Sequence, residues 1–266
     1  MSHGKGFIRD PKGHKFTAFR AVPGIRKASD EVPDTGGPIM FAAPVSDQIT
    51  VGQCVSHGLL DSVFTNLASK GKPIASPLSH DKGYKLARAI ARADWSPDVE
   101  DLQPLQDNGC EPNQLARALT LYGCPLAKDV DNGTLDAIPS IANRELMLHE
   151  SIACRFFPVE FHGVGDMDGD KIQQLVRALA DGYSFALAIE AGEKFNAYSG
   201  VGVLGSDGGN LDHMVHCLLY RKAPNGYFEF WIQNSWSPGW GAGGCAWVDE
   251  GFMRNAGNIL IPRVIQ

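Results

Sequence analysis

No two cysteines of this chain form a Cys-x-x-Cys pair, and the six present, Cys54, Cys110, Cys124, Cys154, Cys217 and Cys245, are scattered over 266 residues. That is too sparse for a disulfide scaffold, and it carries neither the zinc-ribbon nor the thioredoxin spacing. If one of the six is a free nucleophile, at least one other is also unpaired, which fits a reducing compartment. No apolar run approaches the eighteen or so residues of a membrane helix, and MSHGKGFIRDPKGHKF lacks the apolar block of a signal peptide. The expectation is cytosolic synthesis and no membrane partner, with later export or virion packaging left open. Basic charge is short as well: 24 Lys/Arg against 30 Asp/Glu give a formal net charge of −6, which denies the body of the protein the basic face that nucleic acid requires. The local exception is residues 1–27, with seven Lys/Arg against Asp10, read as a solvated basic arm. No internal repeat is visible.

What is present suits a sizeable core, at 44% hydrophobic and 20% charged residues, in one large domain or two compact lobes. Residues 1–45 hold five Pro and six Gly with little periodicity and predict an extended lead-in. Helical signals follow. After Cys54 the apolar positions Val55, Leu59, Leu60, Val63, Phe64 and Leu67 recur at helical spacing until Gly71 and Pro73. SPLSHDKGYKLARAIARA opens on a Ser-Pro step, and EPNQLARALTLYGCP closes on Gly123 and Pro125. Past residue 150 the pattern changes. RFFPVEF, YSFALAI, HMVHCLLY, YFEFWIQN and GCAWV read as strands, and DKIQQLVRALADG as a helix with Asp170 as N-cap and Gly182 as its close. The reading is an α+β fold: the lead-in 1–45, a mainly helical lobe 46–150, and a mainly β lobe 151–266, with a ligand cleft between the lobes.

Cys54 stands at the start of its helix, where unsatisfied N–H groups and the macrodipole favour an anion and so a thiolate. A helix-start cysteine is more often simple packing. A catalytic thiol needs an imidazole partner and a third group to orient that ring. NLDHMVHCLLY supplies His213 and WIQNSWSPGWG supplies Asn234, both at strand edges of the other lobe.

DQITVGQC, LDHMVHCLLY and IQNSWSPGWG together resemble the papain-like (clan CA, family C1) cysteine peptidases, in a style closest to bacterial or phage members. The resemblance spans residues 38–265, including LSHDKGYKLARA. It implies a two-lobe fold with a helical lobe, an antiparallel sheet lobe and the active-site cleft between them. It further implies Cys54 as nucleophile, His213 as acid/base partner and Asn234 as the group orienting the ring. Gln48, with the Cys54 N–H, would form the oxyanion hole, and Trp236 would shield the His213–Asn234 hydrogen bond. Leu211 and Met214, flanking the histidine, would wall a pocket for an apolar second residue of the substrate, or simply pack in the sheet lobe. Gly109 in DNGCE would be a backbone clamp. Val55 replaces the usual aromatic residue, and Val51 the cysteine of the family's first disulfide. The separation of Cys54 and His213 exceeds the ~130 to 150 residues of the papain group, which suggests an insertion in the helical lobe.

Other tempting residues carry less. Strand alternation separates His216 from His213 and Cys217, so the three do not share an ion. His57 reads as a satisfied core histidine. DMDGDK has its Gly in the wrong place for a calcium loop and Arg177 where Glu is required. No metal and no cofactor is expected. The expected partner is a polypeptide substrate, with a protein inhibitor or the chain's own N-terminal segment as further occupants of the cleft. The expected activity is a thiol peptidase working through a cysteinyl thioester. The alternatives are a catalytically weak binding or virion module, or a ligase or amidase using the same residues.

Overall fold

The computed structural model describes residues 31–95, 107–130, 157, 159–164 and 171–265. The run after Cys54 forms helix α1 (Cys54–Ser69), buried on nearly every side, so Ser56, His57, Asp61, Ser62, Thr65 and Asn66 are buried with its apolar residues. It ends as expected: Lys72 N donates to Leu67 O at 2.8 Å, and Gly71 takes φ +73°, the left-handed cap conformation. Helix α2 (His80–Trp95) follows the Ser-Pro step, with Ser79 Oγ accepting from Lys82 N. In α3 (Pro112–Tyr122), Pro112 opens the helix, the Glu111 carboxylate accepts from Gln114 N at 2.8 Å, and Gly123 caps the end at φ +72°.

Among the described residues, eight strands form one sheet. They are β1 (Thr35–Gly36), β2 (Val159–Val164), β3 (Phe185–Ile189), β4 (Val203–Leu204), β5 (His213–Lys222), β6 (Phe228–Gln233), β7 (Cys245–Val248) and β8 (Gly257–Val264). The order is β2-β8-β3-β5-β6-β7-β4, with β1 on the far half of β5; every pairing is antiparallel except β4 with β7. Helix α4 (Lys171–Ala180), the single-turn α5 (Glu193–Asn196) and α6 (Glu250–Asn255) complete the elements used below. The strand expected from RFFPVEF begins only at Val159, and the Asp170 cap lies outside the described residues. Gly182 closes α4 as expected, at φ +75° with Tyr183 N bonded to Ala178 O. Strand β8 went unread because GNILIPRV carries a proline. Pro262 is tolerated where only β2 flanks the strand, opposite Phe161, and its carbonyl is used by α1.

Alternation along the strands makes two cores. Phe185, Leu187, Ile189, Val215 and Cys217 face α4 and α6, whereas Ala186, Ala188, Met214 and Leu260 face α1 to α3. Small residues on the second face let α1 lie close on the sheet. Gly58 carries this furthest: a Cβ there would meet Met214 Cγ at 3.0 Å and Val215 O at 3.2 Å. Asn66 fastens the contact, giving Nδ2 to Ser184 O (2.9 Å) and Pro262 O (2.8 Å) and accepting at Oδ1 from Ser184 N (2.7 Å) and Oγ (2.8 Å). The described end of the lead-in is tied to β5, with Tyr220 OH bonded to Pro33 O and Lys222 N to Asp34 O.

Candidate active site

Residues 46–48 run antiparallel to 235–237, with Gln48 N donating to Ser235 O at 2.9 Å and Ser237 N to Ser46 O at 3.1 Å. This short pairing fixes the approach to α1 beside the segment that carries Asn234 and Trp236. Cys54, the first residue of α1, is fully buried in the core that also holds Met214.

His213 opens β5, itself packed under α1. Its Nε2 lies 2.8 Å from Asn234 Oδ1, which also accepts from Ser235 N at 2.8 Å. That engagement fixes the ring and makes Nδ1 the nitrogen that would serve a thiol. The Trp236 ring sits 4.7 Å from the imidazole, and Phe195 meets it edge-on at 5.9 Å. Phe195 also packs against Trp236 and Trp240, so an aromatic wall closes over the His213–Asn234 bond and keeps it dry. Phe195 was not legible in the sequence because it rides on the single-turn α5, too short for a periodic signal.

Gln48 is buried beside this pair. Ser235 Oγ donates to its Oε1, and its Nε2 donates to Val51 O at 2.7 Å. The loop that holds it is strained at Ile49, a β-branched residue at φ +53° whose N–H bonds Asp47 Oδ1.

The remaining expected residues divide. Met214 is 1% exposed and packs on Gly58, while Leu211 is half-buried at the edge of the same core and packs on Gly257. Gly109 takes φ +88°, but both its backbone groups are in use: its N–H bonds Tyr84 OH at 3.2 Å and its carbonyl accepts from Arg88 Nη1. Its observed work is structural. Asp107, two residues before it, accepts from Gly52 N at 2.9 Å and from Tyr84 OH, tying the loop before Cys54 to this segment. Among the described residues, Cys110, Cys217 and Cys245 are free thiols; burial pushes those of Cys110 and Cys217 well up and that of Cys245 to about 11. On α1, burial and then the charges of His80 and His213 hold the His57 imidazole well below its ordinary range.

Residues 149–259 match the papain family cysteine protease model. Papaya proteinase 4 of Carica papaya is 35% identical over 86 residues, 32% of this chain and 24% of that protein. The chain thus spans about a quarter of the length of the curated relatives it matches. Xylellain, a cysteine protease from Xylella fastidiosa, superposes with a TM-score of 0.70 at 17% identity, over 99% of this chain and 97% of that one. Digestive procathepsin L 3 of Tenebrio molitor gives 0.68 at 18% identity, over 94% and 76%. The fold is therefore the two-lobe papain fold. Plant, bacterial and insect proteins all appear among these matches, so they assign no bacterial or phage setting.

Proposed function

Since residues 149–259 match the papain family cysteine protease model and the fold is the papain fold, we propose that the chain is a papain-like C1 cysteine peptidase with Cys54 as nucleophile and His213 as its acid/base partner. The observation that carries this is the buried His213 Nε2–Asn234 Oδ1 bond at 2.8 Å under Trp236, on the strand against which the Cys54 helix packs. An imidazole so oriented presents Nδ1 to take the thiol proton. The sulfur then attacks the peptide carbonyl, and the imidazolium returns the proton to the leaving amine. Water, deprotonated by the same ring, hydrolyses the thioester. The second amide proton of Gln48 and the Cys54 N–H would hold the oxyanion.

Endopeptidase action with an apolar second residue is the finer part of the proposal, and half-buried Leu211 supports it more than Met214, which the core already uses. The substrate would be a polypeptide; a protein inhibitor or the N-terminal segment would occupy the same cleft. The same groups would serve a ligase or amidase if an amine reached the thioester before water.

Cys54 and His213 have no solvent exposure, which favours a second reading, a papain fold kept for binding with little turnover. Hydrolysis of fluorogenic dipeptides in reducing buffer separates the two. Peptidase action requires turnover that Cys54→Ala abolishes, and the finer reading requires that aliphatic second residues be preferred over charged ones. No turnover with any peptide would leave the binding reading.

A further inference from the structure

Beside the Gln48 loop lies a cavity of about 650 Å³ whose walls include Ser46, Gln48, Gln53, His57, Asp61 and His80, but neither Cys54 nor His213. His57 and Asp61 stand one turn apart on α1, and His80 opens α2. They offer one ligand atom each, all within 4.8 Å of one another. The His57 and His80 rings are 3.9 Å apart, and His80 Nε2 lies 2.8 Å from Asp61 Oδ1.

His57 gives the group its direction. Its Nδ1 is bonded to Ser46 Oγ at 2.7 Å, while its Nε2 is buried without a hydrogen-bond partner on a residue 4% exposed. One ring nitrogen fixed by an outer hydrogen bond, with the other unpartnered on a residue grouped with a carboxylate and a second imidazole, is the arrangement of a metal-ligating histidine. The backbone is fixed too, since Ser56 Oγ donates to His80 O at 2.6 Å.

We propose that His57, Asp61 and His80 form a binding site for a divalent transition-metal ion of the zinc class. Two imidazoles and one carboxylate are a borderline donor set that suits zinc better than calcium or magnesium, and the cavity leaves a fourth position for water. Binding replaces the proton shared by His80 Nε2 and Asp61, which leaves to solvent. The ligand atoms close to roughly 3.3 Å apart, the edge of a tetrahedron with bonds of about 2.0–2.1 Å. An occupied site fixes the loop carrying Gln48 through the Ser46–His57 bond, so zinc raises thermal stability.

The test titrates zinc alone into the Cys54→Ser protein by calorimetry, with the cobalt optical spectrum beside it, so that the thiol of the peptidase site cannot be the ligand. The proposal expects one equivalent bound, a raised Tm, a cobalt spectrum without a thiolate charge-transfer band, and at least tenfold weaker binding in His80→Gln and in Asp61→Asn. Far-UV circular dichroism checks that both variants fold. If either does not, histidine-selective NMR of the Cys54→Ser protein decides, and zinc must shift the His57 and His80 rings. No binding, undiminished binding in both variants, a thiolate band, or shifts confined to other histidines would overturn it.

Discussion

His216 shows what a single buried side chain does to the stability of this protein. It is 1% exposed, neither ring nitrogen has a hydrogen-bond partner, and burial holds its pKa down to about 4 against the opposing pull of Asp61 on α1. Its strand neighbours, Ala186 on β3 and Gln233 on β6, carry no charge. Above the ordinary value of 6.5 the ring is neutral folded or unfolded and contributes nothing to pH dependence. Between 6.5 and 4 only the unfolded chain takes the proton, so stability falls as pH falls, by up to about 3 kcal/mol from this ring. His216→Leu is expected to flatten that part of the profile, measured as urea midpoints at pH 7 and pH 5 in chelator; an unchanged slope would assign the loss elsewhere. At this scale the sequence was most informative where a chemical motif named the residue. His213 and Asn234 are hydrogen-bonded to each other, while Met214 and Gly109, which the resemblance put in the substrate site, are engaged within the protein.

At the scale of elements, the helices were legible because their caps are local: Gly71, Gly123 and Gly182 all close helices where they were expected to. Strand β8 and the clamp made by Asn66 were not: Pro262 interrupts the strand signal of β8, and Asn66 bonds groups 118 and 196 residues away. Asn66→Ala leaves buried groups of Ser184 and Pro262 without partners and is expected to cost roughly 3 kcal/mol or more by chemical denaturation. A cost below about 1 kcal/mol would mean that α1 is held by apolar packing alone. Gly58→Ala probes the same contact from the functional side. The added methyl must push α1 away from Met214 and the Val215 carbonyl, shifting Cys54 relative to His213. Peptidase kcat/KM is expected to fall about tenfold or more, because sub-ångström alignment governs the attack. Unchanged kcat/KM would show that α1 has slack.

Across the whole molecule, two halves of the sequence with opposite patterns meet face to face. The helices contribute the thiol, and the alanine-lined face of the sheet lets them come close enough to matter. Sequence reading reached the two-lobe plan because helical patterns dominate the first half of the chain and strand patterns the second. It did not reach the cavity of His57, Asp61 and His80, whose members come from two helices and gain meaning only once those helices pack. The central claim is that Cys54 is a nucleophile made reactive by His213. Intact-mass measurement of the protein treated with a thiol-directed epoxide in reducing buffer tests it most directly. The account predicts one adduct, mapped to Cys54, absent in Cys54→Ala and formed at least a hundredfold more slowly in His213→Ala. No adduct on Cys54, or equal rates with and without His213, would contradict it.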